Sequence, residues 1–377
     1  MRALHIFSDP SLTHGASIFE YRISRLLADS GIAFDYLVTG ELRPEDAARY
    51  VEAGSEVFRL PLDVKHGLLI REIKVCREYY RFFRAHPYQV VYADTENALR
   101  ALHLWMARLA GVRVRVLHAH NTGLQTQSKS SRVLARAMRE LFRLSVTDYF
   151  ACSDAAAEWL FPKRIYQKKR YALLKNGVDL NVFRFDADVR GETRRRYHLD
   201  GRFVLGTVGR MVPQKNQAFL IDVLAELCDL VPEASLLIVG DGPLRESLAA
   251  RAREKGVAER VIFAGSVTDV PAHLCAMDFF LLTSAFEGFG IVNIEAQATG
   301  LPCLMSDAVP QEAKATDRAD FLPLSVGASA WADAICAMRG VCGDSRPDLR
   351  KEIAQAGFSI DDTVEELRKF YQERGTC

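Results

Sequence analysis

A chain of 377 residues exceeds what one hydrophobic core usually serves, so two domains are the starting expectation. Apolar residues make up 49% and charged residues 26%, with 24 Gly and 13 Pro, which excludes long disordered or low-complexity stretches. The net charge of +1 hides a division: residues 1–185 carry 28 Lys and Arg against 19 Asp and Glu, and the remainder 21 against 29.

The opening run from Met1 is broken by Asp9 and Pro10 before a signal-peptide core could form, and reads as a first buried strand. No window approaches the roughly 18 uncharged apolar residues of a membrane span, so a cytoplasmic protein is expected. Apolar strand-like runs then alternate with helix-like segments, the pattern of parallel sheets covered on both faces. The class is α/β. In the front half the strands fall at Ala3–Phe7, Phe34–Val38, Val57–Leu60, Val90–Tyr92, Val112–Leu117 and Tyr149–Ala151, with helices such as Ile18–Ser30 and Leu69–Ala85 between them. Two basic stripes step by three or four along helical faces: Arg71, Lys74, Arg77, Arg81, Arg84, and Lys129, Arg132, Arg136, Arg139, Arg143.

The stretch from Asn176 to Arg202 is polar and lacks a long apolar period, which makes it the connection between domains. The boundary is placed at 185, giving domains 1–185 and 186–357. Asp186-Ala187-Asp188 has the Asp-x-Asp form of a metal site, but it follows no apolar strand and is read as coincidence. In the back half the strands are Phe203–Val208, Ser235–Val239, Val261–Phe263, Phe279–Leu282 and Pro302–Met305, with helices at Ala218–Cys228, Pro243–Lys255 and Ile291–Thr299. A last helix carries Val364, Leu367 and Phe370 on one face, and the segment 358–377 is expected to pack back on the first domain. Eight scattered cysteines, without a Cys-x-x-Cys pair, fit neither a zinc site nor a disulfide framework.

Two loops carry the chemistry. Ser284 to Ala296 runs from an apolar strand through Gly288 and Gly290 into a helix, so backbone N–H groups and a positive helix end meet at the strand's carboxyl edge, where an anion is welcome. Glu287 in the loop and Glu295 in the helix can each accept paired hydrogen bonds from vicinal hydroxyls, which a sugar or ribose offers. After the strand Phe203–Val208, Arg210 and Lys215 precede another helix and could neutralise a departing diphosphate without a metal. A third turn, Gly240-Asp241-Gly242-Pro243, lacks the full dinucleotide spacing.

Asn176-Gly177-Val178-Asp179, the Gly209-Arg210…Gln214-Lys215-Asn216 loop, Gly240-Asp241-Gly242-Pro243, Phe263-Ala264-Gly265 and the Glu287…Glu295 block ending Gly300-Leu301-Pro302 together resemble the retaining GT-B enzymes of glycosyltransferase family 4, over roughly residues 170 to 310. Within it, Phe34-Asp35-Tyr36-Leu37-Val38, His118-Ala119-His120-Asn121-Thr122 and Glu295 to Cys303 are similar to bacterial capsular and exopolysaccharide transferases. The resemblance implies two Rossmann-like domains with parallel sheets facing across a cleft that closes to exclude water. It implies transfer from a nucleotide-diphosphate sugar, foremost a UDP-sugar, to a saccharide acceptor that is lipid-linked, with a peripheral place on the inner face of the membrane. Arg210 and Lys215 would hold the diphosphate, Glu295 the ribose, and Glu287 with the amides of Gly288, Phe289 and Gly290 the donor sugar. Ile291, Val292, Asn176 and Gly240 would line the donor site, Gly15 would close over the phosphates, and His120 would line the reacting face. A departing phosphate oxygen would take the acceptor's proton. No metal, cofactor or nucleic acid is called for. Two departures, His14-Gly15-Ala16-Ser17 in the first loop and Asp94 in place of a histidine, fall on the acceptor side. A nucleotide-sugar epimerase, a glycogen-phosphorylase-like enzyme with lysine-bound pyridoxal phosphate and a non-enzymatic sugar-nucleotide sensor are the alternatives.

Overall fold

The computed structural model describes residues 1–7, 15–39, 42–60, 68–95, 100–120, 138–341 and 345–375. Contacts divide the chain into two units, Met1–Asn176 with Ile360–Cys377, and Gly177–Ser359. The sequence placed this boundary near 185; the contacts divide the chain at Asn176/Gly177, inside the same polar stretch.

The first unit is a seven-stranded parallel sheet of β1 (Arg2–Phe7), β2 (Ala33–Val38), β3 (Val57–Arg59), β4 (Val90–Asp94), β5 (Val114–Ala119), β6 (Asp148–Ala151) and β7 (Ala172–Leu173), in the order β3-β2-β1-β4-β5-β6-β7. The second is a six-stranded parallel sheet of β8 (Phe203–Val208), β9 (Ala234–Val239), β10 (Val261–Gly265), β11 (Phe279–Leu282), β12 (Cys303–Met305) and β13 (Ala319–Phe321), in the order β10-β9-β8-β11-β12-β13. Central strands such as β4, β9 and β11 are buried along their whole length, which is why they read as unbroken apolar runs rather than alternating ones. Each fully buried Leu, Ile or Phe there contributes about 1.5–3 kcal/mol. Asp35 sits in the middle of β2 with its charge fully used: it accepts from the Glu56 amide at 2.8 Å and the Tyr88 hydroxyl at 2.7 Å, and pairs with Arg2.

Three elements lay beyond a periodicity reading. β7 and β13 have two and three residues, too few to show a period. The third lies in the polar stretch read as the connection, where no apolar period marks it: Ala187–Arg196 is a helix, N-capped by Asp186, whose carboxylate accepts from the amides of Asp188 (3.0 Å) and Val189 (3.1 Å). Its buried face is Arg190, Thr193 and Arg194, not an apolar stripe. Arg190 and Arg194 bond Asp278 at 2.5 and 3.2 Å and the carbonyls that end the helix Val270–Ala276.

The helix Ile360–Gly375 follows the second unit in sequence but packs in the first. Ile360, Leu367 and Tyr371 join the core formed by Phe19, Phe34 and Phe150, with the Tyr371 ring edge-on to Phe34 at 5.4 Å. Thr363 donates to the Lys175 carbonyl at 2.9 Å.

At the carboxyl edge of the second sheet backbone meets backbone. Gly240, at φ 124°, lies so close to Gly209 that a Cβ would overlap its carbonyl. Gly242 similarly approaches Met211, whose oxygen would stand 2.5 Å from a Cβ. Gly240→Ala is expected to destabilise the second unit by about 2 kcal/mol or more, from backbone strain plus overpacking. Gly201→Ala, at φ 71° but with nothing within 4 Å, meets strain alone and loses less. Urea unfolding of the two variants side by side checks the ranking.

Candidate active site

In the second unit β8 and β11 are neighbours, and the strand order reverses between them, which is where doubly wound sheets bind ligands. Each strand leads through a loop to a helix N-terminus: β8 to Gln217–Leu230 and β11 to Ile291–Ala298. Neither helix start is capped by its own N-cap side chain; both N-cap residues, Asn216 (φ 52°) and Gly290 (φ 76°), are left-handed. At Gly290 a Cβ would stand 2.9 Å from Leu282 Cδ2, so only glycine turns the chain there.

The two loops are joined to each other. The Gln214 carbonyl accepts from the Ala285 amide at 2.8 Å, and the Gln214 side chain donates to the Phe286 carbonyl at 3.1 Å. The Thr283 hydroxyl donates to the Asn216 carbonyl at 3.2 Å. Lys215 packs its methylenes over Gly209 and pairs its ammonium with both oxygens of buried Glu287, Oε2 at 3.2 Å. Ser284 donates to Glu287 at 3.4 Å. Arg210 stands exposed, and its carbonyl is anchored by the Gln217 side chain at 3.0 Å. Glu295 is half-buried one turn into its helix. Phe289 turns its ring into the core against Phe358 at 5.1 Å, so only its backbone is left for a ligand, and Val292 is also buried. Thus Arg210, Lys215, Glu287, Gly288, Phe289, Gly290, Ile291, Val292, Glu295 and Gly240 are all brought to one edge of one sheet.

Gly15, Asn176 and His120 belong to the first unit. Gly15 begins the helix Gly15–Ala28, His14 lies outside the described residues, and Asn176 is buried with Oδ1 lacking a hydrogen-bond partner among them. His120 follows β5 and is not a lone histidine. Its Nε2 is 2.8 Å from Asp94 Oδ1 and 3.6 Å from Glu20 Oε1; His5 Nε2 is 2.8 Å from Asp94 Oδ2. His118 lies against His120 with ring centres 3.7 Å apart. The group occupies the carboxyl ends of β1, β4 and β5, across the reversal point of the first sheet between β1 and β4.

Burial opposes charge on His5, but Asp94 and Glu20 raise its pKa. Burial likewise opposes charge on His120, and attraction and hydrogen bonds to Asp94 and Glu20 raise it to about 10. Burial would lift Asp94, yet the two imidazoles hold it far below the usual carboxylate range. Burial and repulsion from Asp94 raise Glu20. Burial, with the charge on His120, keeps His118 neutral. Glu20, Asp94, His118 and His120 bring donor atoms within 4.8 Å of one another, the composition a metal would need. Both oxygens of Asp94, however, are already engaged, by His120 and His5 at 2.8 Å each. Sequence reasoning noted Asp94 only as a departure and missed His5 and Glu20, because nothing local in β1 or in an amphipathic helix marks an inward-pointing charge.

Two Rossmann-like parallel sheets, of seven and six strands, define the GT-B fold class. The chain belongs to the group 1 glycosyltransferases of family 4, which use nucleotide-sugar donors. Residues 202–339 match the family described as "Glycosyl transferases group 1", and residues 15–177 match "Glycosyl transferase 4-like domain". It is 28% identical over 373 residues to EpsF of Bacillus subtilis (strain 168), covering 98% of this chain and 96% of that one. It is 32% identical over 269 residues to the GDP-mannose-dependent alpha-(1-6)-phosphatidylinositol monomannoside mannosyltransferase of Mycolicibacterium smegmatis, covering 68% and 67%. The fold matches the structure of Anabaena Alr3699/HepE in complex with UDP at a TM-score of 0.77, with 19% identity over 99% and 100% of the two chains.

Removing the Lys215 ammonium leaves the Glu287 carboxylate buried without its cation. Lys215→Met is therefore expected to destabilise the second unit by about 1–3 kcal/mol. Lys215→Met with Glu287→Gln should lose less than the sum of the two single variants, which a double-mutant cycle by urea unfolding measures.

Proposed function

We propose that the protein is a metal-independent, retaining hexosyltransferase that moves a sugar from UDP onto a lipid-linked saccharide in the assembly of a cell-surface polysaccharide. One observation carries this reading: Arg210, Lys215 and two helix N-termini lie at the reversal point of the second sheet, an arrangement of fixed positive charge that suits a diphosphate. The leaving diphosphate gathers negative charge as the bond to sugar C1 breaks. Preorganised cations stabilise that charge, as a metal does elsewhere. In this reading Lys215 exchanges part of its bond to Glu287 for phosphate, and Glu287 turns to the sugar hydroxyls. Glu295 takes the ribose, and His120 serves the reacting sugar as a hydrogen-bond donor. A phosphate oxygen accepts the acceptor's proton, so no protein nucleophile takes part. UDP as carrier is supported by the named ligand of the Anabaena structure, although the mycobacterial relative is GDP-mannose-dependent. A lipid-linked acceptor is supported by a 28% identical Escherichia coli relative named as a galactosyltransferase acting on a diphosphoundecaprenol-linked sugar.

Transfer from a UDP-sugar to a diphosphoundecaprenol-linked saccharide should proceed in excess EDTA and keep the donor's anomeric configuration, as read by proton NMR of the product. Arg210→Ala should lower kcat about a hundredfold or more. Glu295→Ala should weaken UDP binding in calorimetry through the loss of charged hydrogen bonds worth about 1.5–3 kcal/mol each. Transfer that needs added manganese, or unchanged turnover of Arg210→Ala, would defeat the reading.

A peripheral place on an anionic membrane completes the proposal. Among the described residues no helix is long and apolar enough to cross a bilayer. The helix Leu68–Ala85 buries Val75, Tyr79, Phe82 and Phe83 and exposes Lys74, Arg77, Arg81 and Arg84 beside Ile73, which is 63% exposed, and Tyr80. Cations flanking exposed apolar groups suit an anionic interface, at about 1 kcal/mol each. In the second stripe Lys129, Arg132 and Arg136 lie outside the described residues, and Arg139 donates to the Glu158 and Trp159 carbonyls at 3.0 Å. Vesicles containing phosphatidylglycerol should therefore sediment the protein at low salt, and neutral vesicles should not. Charge reversal at Lys74, Arg77 and Arg84 together should release it; equal sedimentation of that variant would exclude this helix as the contact.

A further inference from the structure

Each carboxylate oxygen of Asp94 faces one imidazole nitrogen at 2.8 Å, His120 Nε2 on one side and His5 Nε2 on the other. A carboxylate accepts and does not donate, so both of those nitrogens carry hydrogen. Glu20, from the helix Gly15–Ala28, adds a second carboxylate to both rings: Oε1 lies 3.6 Å from His120 Nε2 and Oε2 lies 3.7 Å from His5 Nδ1. His5 is itself wedged between the stacked ring of Tyr36 at 5.9 Å and the edge-on ring of Tyr92 at 4.7 Å, and so holds Asp94 from behind. With Nε2 occupied, the nitrogen left to His120 is Nδ1, which is buried, has no hydrogen-bond partner among the described residues, and is a donor in the charged ring that Asp94 and Glu20 favour.

We propose that Asp94 is a positioning residue of the transfer reaction: seated between His5 and His120, it fixes the His120 ring, keeps Nε2 hydrogen-bonded and leaves Nδ1–H as a permanent donor to a substrate oxygen. This rests on the reading above that His120 serves the reacting sugar. His120 then never acts as a base. The groups facing it agree in sign: Asp94 and Glu20 favour a charged ring, and His118, bonded to the Tyr92 hydroxyl at 2.5 Å, stays neutral beside it. The remaining titratable groups around the cluster are His5 and the phenols of Tyr36, Tyr92 and Tyr371, which burial keeps un-ionised. A cation bound in this cluster would need the His120 Nε2 lone pair, where the hydrogen to Asp94 now stands.

The test is a pH titration of the full chain labelled with 15N-histidine, followed by long-range proton–nitrogen NMR, beside a pH–rate profile. In the native protein both His120 nitrogens should stay protonated from pH 6 to 9, with no loss of kcat from this group over that range. In Asp94→Asn, His120 should titrate near the ordinary histidine value of about 6.5, and kcat should fall about tenfold or more between pH 6 and pH 8 as the second proton is lost. Glu20→Gln should move the His120 midpoint in the same direction but less, and together with the native titration it decides the matter if Asp94→Asn does not fold. A His120 ring that is neutral at pH 7 in the native protein, or an Asp94→Asn enzyme with the native pH profile, would overturn the proposal. So would displacement of the His120 Nε2 proton by equimolar zinc. If the NMR result is as expected but His120→Asn turns over like the native enzyme, the role of His120 in transfer fails while its link to Asp94 stands.

Discussion

A carboxylate removed from water is tolerated only where positive charge or hydrogen bonds answer it, and both sheets are organised at their reversal points around such a carboxylate. In the second unit it is Glu287, answered by Lys215; in the first it is Asp94, answered by His5 and His120. Each pairing draws together loops or strands that are distant in sequence. Lys215 and Glu287 tie the loop after β8 to the loop after β11, and Asp94 ties β1 to β5 through β4. While these pairs persist the loops and strands they join are held together.

The two halves solve the same problem with different chemistry. The second unit uses backbone closeness: Gly209, Gly240 and Gly242 let neighbouring loops touch without side chains, and Lys215 fills the groove that Gly209 leaves. The first unit uses side chains on strands, with His5, Asp94 and His118 pointing out of β1, β4 and β5. Strand-borne groups are held by the sheet itself, and Asp94, backed by His5, in turn holds the His120 ring just past the end of β5.

The second-unit loops were legible because their chemistry is local. Gly288 and Gly290 before a helix, or Arg210 and Lys215 after an apolar strand, fall within a few residues of one another. The cluster around Asp94 was not legible, because its members come from positions 5, 20, 94, 118 and 120 and meet only once the strand order is known. Buried charge also hid the helix Ala187–Arg196: its inward face is Arg190, Thr193 and Arg194, and a search for apolar periodicity passes over guanidinium groups that are buried because Asp278 and backbone carbonyls receive them. Strands β7 and β13 were lost for lack of length. The long apolar strands were read nearly to their ends, since burial on both faces leaves an unbroken signature.

The helix Ile360–Gly375 gives the two units different histories during synthesis. Gly177–Ser359 is one continuous stretch, so everything its sheet requires has left the ribosome before residue 360 appears. The first unit begins to emerge earlier but finishes later. Its Phe19, Phe34 and Phe150 lack Ile360, Leu367 and Tyr371 until the whole of the other unit has been made. Through that interval an aromatic surface stands uncovered on the nascent chain, and the loop that must close to cover it is a folded domain rather than a flexible coil. The half that is translated first is therefore the half whose core is completed last.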